Sequence, residues 1–469
     1  MQENQVSPPH AFGPNPHARP LLELTAAYWL GLFSVAPKTL AAPWLPRAVF
    51  RKRVLSQLRE TLRAAKADVD FYAEHLAGVE PSTVTSVEAL ASIPFLTKAL
   101  LKANAQRMLS RNAPPRERLM ERSSSGSSGV PVRVFFDPLK ELPRRAQELR
   151  LLTAHGFRPW HRQMIFDHPT HLAPEAFLPQ KLGLWRREMF PAWKSSEEAV
   201  QTVREKRPDV LHGVLSSLRM LALAMQRQGG LGYVPKLIVS KGELLDPSTR
   251  TLIESELRAP LVDYYATEET GIIAWQCPTG SGYHVDEDFV FVETVREDGT
   301  PAAPGEVGEV VLTNLYMRVM PFIRYRTGDL ALRSEAPCAC GRSLPLLTGL
   351  KGRQLDLIIT PDQEIHDPFA LIDVMEEIPP VWQFKIEQTQ VDRLCVRVRW
   401  KEDAGAEAIA VGRQRVSGDL RTLLGQRMTI EVVDVEEFRH GFGQKSALVR
   451  GLPGTSISDL VAKGYRLRF

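Results

Sequence analysis

The sequence predicts an α/β protein with a large, multi-part N-terminal region of mixed sheets flanked by helices and a β-rich section. A small α+β unit follows it. Three observations predict this. Short apolar strands alternate with helical segments between residues 164 and 257, the pattern of largely parallel pairing. Between residues 288 and 334 the period becomes that of strands, broken by turns bearing Gly and Pro. Beyond Gly352, strands and a long helix mix again. At 469 residues the chain also exceeds a single typical core.

Met1–Pro20 is rich in Pro, Asn and His and is expected to be poorly ordered. It lacks a charged cap leading directly into an apolar run, so no cleaved signal peptide is expected. Leu24–Pro37 is too short to cross a bilayer and is flanked by Glu23 and Lys38. It reads as a helix packed on the body, or at most an interfacial one. Ala48–Ala77 is helical, with Val54, Leu55, Leu58 and Leu62 at helical spacing and Lys52, Arg59 and Arg63 grouped beside them. Thr97–Leu109 is a second helical stretch. Arg118–Ser123 and Val132–Phe136 read as strands on either side of a serine/glycine loop.

In the middle of the chain, Met164–Phe166, Val210–His212 and Lys236–Ser240 read as buried strands. Ala199–Lys206, Leu215–Arg227 and Pro247–Leu257 are the helices between them, the last opened by Asp246-Pro247. Asp288–Thr294, Gly308–Leu315 and Leu330–Arg333 alternate as strands. Trp382–Gln388, Leu394–Trp400 and Met428–Val433 are strands around the helix Ala406–Leu424. A domain boundary is placed near Arg353–Leu355.

Hydrophobic residues are 43% and charged residues 24% of the chain, the balance of a soluble enzyme. With 59 basic and 55 acidic residues the net charge of +4 is too thin to imply nucleic-acid binding. Four cysteines in so long a chain are no disulfide framework, which points to a reducing cytoplasm.

Ser123-Ser124-Ser125-Gly126-Ser127-Ser128-Gly129-Val130-Pro131 is the densest chemical signal. Small residues let a backbone turn tightly against an anion while N–H groups and hydroxyls donate to phosphate oxygens. No Gly-Lys-Ser/Thr follows, so it is no Walker loop. Alone, the stretch reads equally as a flexible linker.

Downstream stand Gly242-Glu243-Leu244, Tyr264-Tyr265-Ala266-Thr267-Glu268-Glu269, Arg324-Tyr325-Arg326-Thr327-Gly328-Asp329, Gly352-Arg353-Gln354-Leu355-Asp356 and Gly443-Gln444-Lys445. In this order the set resembles the adenylate-forming superfamily that includes acyl-CoA synthetases, in its phenylacetate–CoA ligase/CapK-like branch. The resemblance runs from about Arg51 to Arg450 and implies activation of a carboxylic acid by ATP. It implies an adenylation domain over residues 21–352 and a mobile C-terminal lid domain over 353–469. Ser124, Ser125, Gly126, Ser127, Ser128 and Gly129 would cradle the β- and γ-phosphates. Thr267 and Glu268 would face the phosphates and Mg²⁺, the carboxylate being the hard oxygen ligand such an ion needs. Tyr264 would stack on adenine, with Gly242 and Glu243 in the opposite wall. Asp329 would accept the ribose hydroxyls. Arg353 would meet phosphate or ribose with its planar fork, and Lys445 would stabilise charge as acyl-AMP forms. The acyl pocket would lie near His168, Gly213 and Tyr265. Singly, these residues have plainer readings: Glu268 beside Glu269 as a solvated helix start, Asp329 as a turn residue.

Cys277, His284, Cys338 and Cys340 offer three thiolates and an imidazole, a complete tetrahedral set for a closed structural Zn²⁺ site. Some members of the resembled branch carry a comparable cluster. The plainer reading is ordinary thiols near turns. Cys395 is expected in the core of its strand.

The chain departs from its relatives in three places. Val130 replaces a loop lysine, Leu355 stands where a charged hinge residue is common, and Ile359–His366 lacks the usual glycine-containing loop. These departures bring it closer to the CapK-like group and leave the acceptor open. One reading transfers the acyl group to a thiol, CoA or a carrier protein's pantetheine. A second transfers it to an amine or hydroxyl. A third is a non-catalytic, zinc-stabilised nucleotide-binding protein.

Overall fold

The structure is a computed structural model that describes residues 22–86, 88–123, 133–137, 142–167, 178–191, 195–334, 336–353, 356–436, 438, 448–452, 460 and 463–468. The N-terminal stretch expected to be poorly ordered lies outside the described residues. Helices α1 (Leu22–Ala41), α2 (Arg47–Asp68), α3 (Asp70–His75) and α4 (Lys98–Asn104) come first. A ribbon of β1 (Met120–Ser123) and β2 (Arg133–Phe136) follows, then helix α5 (Leu142–Ala154). Of the expected α2 stripe, Val54, Leu58 and Leu62 are buried and Leu55 is partly buried, with Phe50 joining the buried face. The single helix expected over 48–77 is broken at Val69, which extends and bridges to Ser110. Thr97 caps α4 by accepting from the Leu100 N–H, but the helix ends at Asn104, five residues before the expected Leu109.

The strands that follow are β3 (Gln163–Asp167), β4 (Arg187–Pro191), β5 (Val210–Val214), β6 (Leu237–Lys241), β7 (Leu261–Thr267) and β8 (Gly271–Gln276). After them come β9 (Tyr283–Val285), β10 (Val290–Val295), β11 (Val307–Asn314), β12 (Tyr325–Ser334) and β13 (Leu346–Arg353). All eleven form one sheet in the order β10-β11-β12-β13-β9-β8-β7-β6-β5-β3-β4. From β4 to β7 the pairing is parallel, and from β7 onward it is antiparallel. Helices α6 (Leu178–Lys181), α7 (Ser196–Lys206), α8 (Leu215–Gln228) and α9 (Pro247–Leu257) belong to the parallel half. Its strand β5 is buried end to end, including the polar His212 among its apolar residues. The Asp246 carboxylate accepts from the Thr249 N–H at 2.7 Å and Pro247 opens the helix, so α9 begins where the sequence places it.

One buried ionic knot ties three parts of this region together. The Arg150 guanidinium on α5 donates to Asp286 at 2.6 Å and Asp288 at 2.7 Å, and to the Thr39 carbonyl of α1 at 2.6 Å. The Trp275 indole donates to the same Asp286. Gly31 lies where α1 meets α5: a Cβ there would sit 2.3 Å from Leu142 Cδ1, so that side chain would have to turn aside.

The remaining elements are β14 (Ile358–Ile359), β15 (Glu364–His366), α10 (Pro368–Glu376), β16 (Val381–Gln390), β17 (Arg393–Trp400), α11 (Ala406–Leu424), β18 (Thr429–Asp434), β19 (Val449–Arg450) and β20 (Arg466–Arg468). They form a β14-β15-β20 sheet and a β18-β17-β16-β19 sheet. α10 and α11 close a core of Leu371, Phe384, Val396, Val416 and Leu420 over the second sheet. Here one expectation is corrected. Leu394, Val396 and Val398 face that core, so strand alternation turns Cys395 to the opposite, half-exposed face. Between β14 and β15, Gln363 adopts φ 59°, the left-handed conformation that glycine usually supplies in a turn. Among the described residues, no helix is long and apolar enough to cross a membrane.

Removing Arg150 leaves two buried carboxylates uncompensated. Arg150→Ala should therefore cost about 3–5 kcal/mol of stability, read from the urea midpoint of unfolding. A midpoint like that of the parent chain would show that the knot is not holding α1 to the sheet.

Candidate functional site

The parallel strands β5, β6 and β7 end side by side, the place where open α/β sheets present ligands. On β7, successive side chains alternate between faces. Tyr264 turns inward, 7% exposed, and its hydroxyl sits 3.1 Å from His212 Nε2 on β5. His212 in turn lies 3.8 Å from the Glu148 carboxylate. Burial raises the pKa of Glu148, but Arg187, Arg145 and His212 more than offset it and hold the group well below the usual carboxylate range. Tyr265 faces the other way and donates to Asp329 Oδ2 at 2.5 Å.

Asp329 is on β12, where it pairs with Arg353 of β13. The antiparallel register thus sets side by side two residues that lie far apart in the sequence. Gly352, at φ 87°, permits a close approach: a Cβ there would lie 3.1 Å from Leu244 and 3.5 Å from Pro368. Four of the singled-out segments, around residues 242–244, 264–269, 325–329 and 352–353, therefore converge. Glu243 has a local duty as well, because its carboxylate accepts from the Ser216 N–H at the start of α8, 2.7 Å away. Gly242 takes the left-handed φ of 83° just beyond β6.

Thr267 ends β7 and Glu268 opens the turn to β8, which is not the start of a helix. The Thr267 hydroxyl accepts from the Thr270 N–H at 3.2 Å. The Thr270 carbonyl accepts from Asn314 at 3.2 Å and from the Tyr316 hydroxyl at 3.3 Å. Glu269 turns inward to accept from the Tyr325 hydroxyl at 3.2 Å, whereas Glu268 stays partly exposed at the turn. Arg144, at the start of α5, lies against the same turn with Nη2 3.5 Å from the Thr267 carbonyl. Sequence reasoning missed Arg144 and the Glu148–His212–Tyr264 chain, since no motif marks either. The serine loop 124–129, Lys445 and His168 lie outside the described residues, as do Gln354 and Leu355.

The cysteine cluster is a separate centre. Its four ligand atoms, on Cys277, His284, Cys338 and Cys340, all lie within 4.8 Å of one another. Cys277 Sγ is 3.6 Å from Cys338 Sγ, and His284 Nε2 is 3.1 Å from Cys340 Sγ. A tetrahedral ion with sulfur ligands at about 2.3 Å wants them roughly 3.8 Å apart, so the set fits with small adjustments. Burial and the nearby Arg342 charge hold His284 down to about 4, which keeps it the neutral imidazole a metal takes. Burial opposes ionisation of Cys338, but hydrogen bonds from the Cys340 backbone and neighbouring groups bring its thiol down to about 7. Next to the cluster, residues 342 and 343 pack against the N-terminal segment. The Ser343 N–H donates to the Pro43 carbonyl and its hydroxyl to the Leu45 carbonyl, while Arg342 lies 4.8 Å over the Trp44 ring.

No family model matches the chain. It is 28% identical over 363 residues to the phenylacetate–coenzyme A ligase of Thermus thermophilus, covering 72% of this chain and 77% of that protein. The phenylacetate–coenzyme A ligase of Escherichia coli is 26% identical over 365 residues, covering 74% and 82%. Among solved structures, a 2-hydroxyisobutyryl-CoA ligase in its postadenylation state superposes with a TM-score of 0.74 at 21% identity. The match covers 90% of this chain and 94% of that one.

Directly before Tyr264, burial pushes the Asp263 carboxyl up to about 6, against the hydrogen bonds it accepts from the Ser240 and Tyr283 hydroxyls. Between about pH 4 and 6 the folded chain then holds a proton that the unfolded chain has released, so stability falls as pH rises through that window. Asp263→Asn should remove up to about 3 kcal/mol of this decline in urea titrations across the window. An unchanged slope would mean that Asp263 ionises as freely in the fold as out of it.

Proposed function

We propose that this homologue of the phenylacetate–coenzyme A ligases is an ATP-dependent, AMP-forming carboxylic acid ligase that makes an acyl-adenylate and then a thioester with coenzyme A. The observation that carries the reading is the Tyr265–Asp329 hydrogen bond beside the Asp329–Arg353 strand pair. It supports the reading by joining β7, β12 and β13 at one end of the parallel strands.

The acid's carboxylate oxygen attacks the α-phosphorus of ATP, and the bond from that phosphorus to pyrophosphate breaks. The thiol sulfur of coenzyme A then attacks the acyl carbon, and AMP leaves with the bridging oxygen. Two anions must meet in the first step, so the protein's work is alignment and charge neutralisation. Asp329 accepts the ribose hydroxyls while Tyr265 holds one of its oxygens. The braced Thr267–Glu268 turn offers a hydroxyl and a carboxylate, the latter a ligand for Mg²⁺. Loop 124–129 meets the phosphates, Arg353 a phosphate or ribose oxygen. Lys445 reaches in from a lid domain that we place at residues 353–469, against an adenylation domain at 21–352. Tyr264, held to His212, stacks on adenine, with Gly242 and Glu243 in the opposite wall.

Zinc belongs to the same reading, bound by Cys277, His284, Cys338 and Cys340. With four protein ligands it has no open position for chemistry, and its part is to pin the loops that grip residues 43–45. Reduced thiols of this kind suit the cytoplasm, where we place the chain.

Incubating the chain with ATP, Mg²⁺ and a panel of carboxylic acids should release pyrophosphate with an accepted acid, and Lys445→Ala should abolish that release. With the same acid, coenzyme A should be consumed. Hydroxylamine trapping without coenzyme A consumption would instead indicate a carrier, amine or hydroxyl acceptor. Silence across the panel would remove the ligase reading.

Metal analysis should find close to a single zinc equivalent per chain, lost in Cys338→Ser together with several degrees of melting temperature. A metal-free parent chain with the same melting temperature would leave only a cluster of thiols.

A further inference from the structure

We propose that Arg144 is the cation that meets the β- and γ-phosphates of ATP, in place of the lysine that the serine loop lacks. The inference rests on the nucleotide reading above.

The charge problem comes from the sequence. Between Arg122 and Arg133 the chain carries no Lys or Arg, and Val130 stands where relatives place the lysine. The β7–β8 turn adds the negative charge of Glu268, which stays partly exposed, whereas Glu269 is buried against Tyr325. A triphosphate brought to such a turn needs positive charge beyond one Mg²⁺ ion.

The structure puts a guanidinium at that turn and builds a slot for it. Arg144 and Arg145 are neighbours in the first turn of α5, which carries no acidic residue. They go different ways. Arg145 pairs with Glu148 at 3.1 Å on its own helix. Arg144 crosses to the hairpin, its Nη2 3.5 Å from the Thr267 carbonyl. Its stem passes over Gly271, where a Cβ would come within 3.0 Å of Nε and 3.4 Å of Cδ. Gly271 also sits at φ 81°, so glycine serves the turn and the slot together. The Tyr316 hydroxyl, 3.2 Å from the same point, closes the far side while it braces the Thr270 carbonyl. A long side chain is thereby held beside the residues that would face the phosphates. Its planar fork matches two phosphate oxygens at once, which a lysine does not do.

The test separates phosphate contact from mere bracing of the turn. Binding of ATP with Mg²⁺ and of AMP is measured by calorimetry on the full chain, for the parent, Arg144→Ala and Arg144→Lys. AMP lacks the β- and γ-phosphates, so the two ligands divide the roles. The expected result is ATP affinity lower by about tenfold or more in Arg144→Ala, partly restored in Arg144→Lys, with AMP affinity within about twofold of the parent. ATP binding unchanged in Arg144→Ala, or ATP and AMP weakened alike, would overturn the proposal. Should Arg144→Ala fail to fold, Arg144→Gln takes its place, and parent-like ATP affinity there overturns it equally. A parent chain that binds neither nucleotide overturns both this inference and the reading beneath it.

Discussion

The candidate site depends on the alternation of a single strand. Along β7, Tyr264 and Tyr265 must face opposite ways, and each is fixed by a different partner. One locks into the parallel half of the sheet through His212. The other reaches the antiparallel half through Asp329. β7 is also the strand at which pairing changes from parallel to antiparallel. A register slip of one residue would exchange the two tyrosines and separate Asp329 from the turn that carries Glu268. The proposed chemistry therefore needs the strand order and register of the large sheet as much as any one side chain.

Much of this architecture is legible in the amino-acid sequence, for identifiable reasons. α9 and α11 match the sequence reading end to end, because Asp246-Pro247 opens one and a sustained helical period runs through the other. The central parallel strands are largely buried and read as apolar runs. Legibility fails where tertiary pairing overrides local pattern. The helix expected over 48–77 is split because Val69 is taken by Ser110 from a distant segment. Glu268-Glu269 resembles a helix start in isolation, yet the antiparallel return of β8 makes it a hairpin turn. Cys395 lies on an alternating strand, and the alternation alone does not say which face is the core.

The site shows the same division. Order along the chain is enough to link Asp329, Arg353 and the Thr267–Glu268 turn, and the structure pairs Asp329 with Arg353 across two strands. Nothing in the sequence marks Arg144, whose significance comes from a glycine far away that leaves room for it. Nor does sequence reveal that Glu243 caps α8 or that Tyr265 is tied to Asp329. The four zinc-type ligands are legible by residue type, although their spacing is unusual, and the fold brings their atoms together from β8–β9 and the 338–340 loop. The neighbouring residues Arg342 and Ser343 contact the N-terminal segment at residues 43–45, so the cluster lies beside the frame of the molecule.

The central claim is that a carboxylate oxygen of the acid becomes bonded to the α-phosphorus of ATP. The most direct measurement supplies an accepted acid labelled with oxygen-18 in its carboxylate, with ATP, Mg²⁺ and coenzyme A, and examines the nucleotide product by mass spectrometry. An acyl-adenylate intermediate predicts AMP carrying a single heavy oxygen from the acid, with unlabelled pyrophosphate. Unlabelled AMP, or ADP with labelled phosphate, would contradict it.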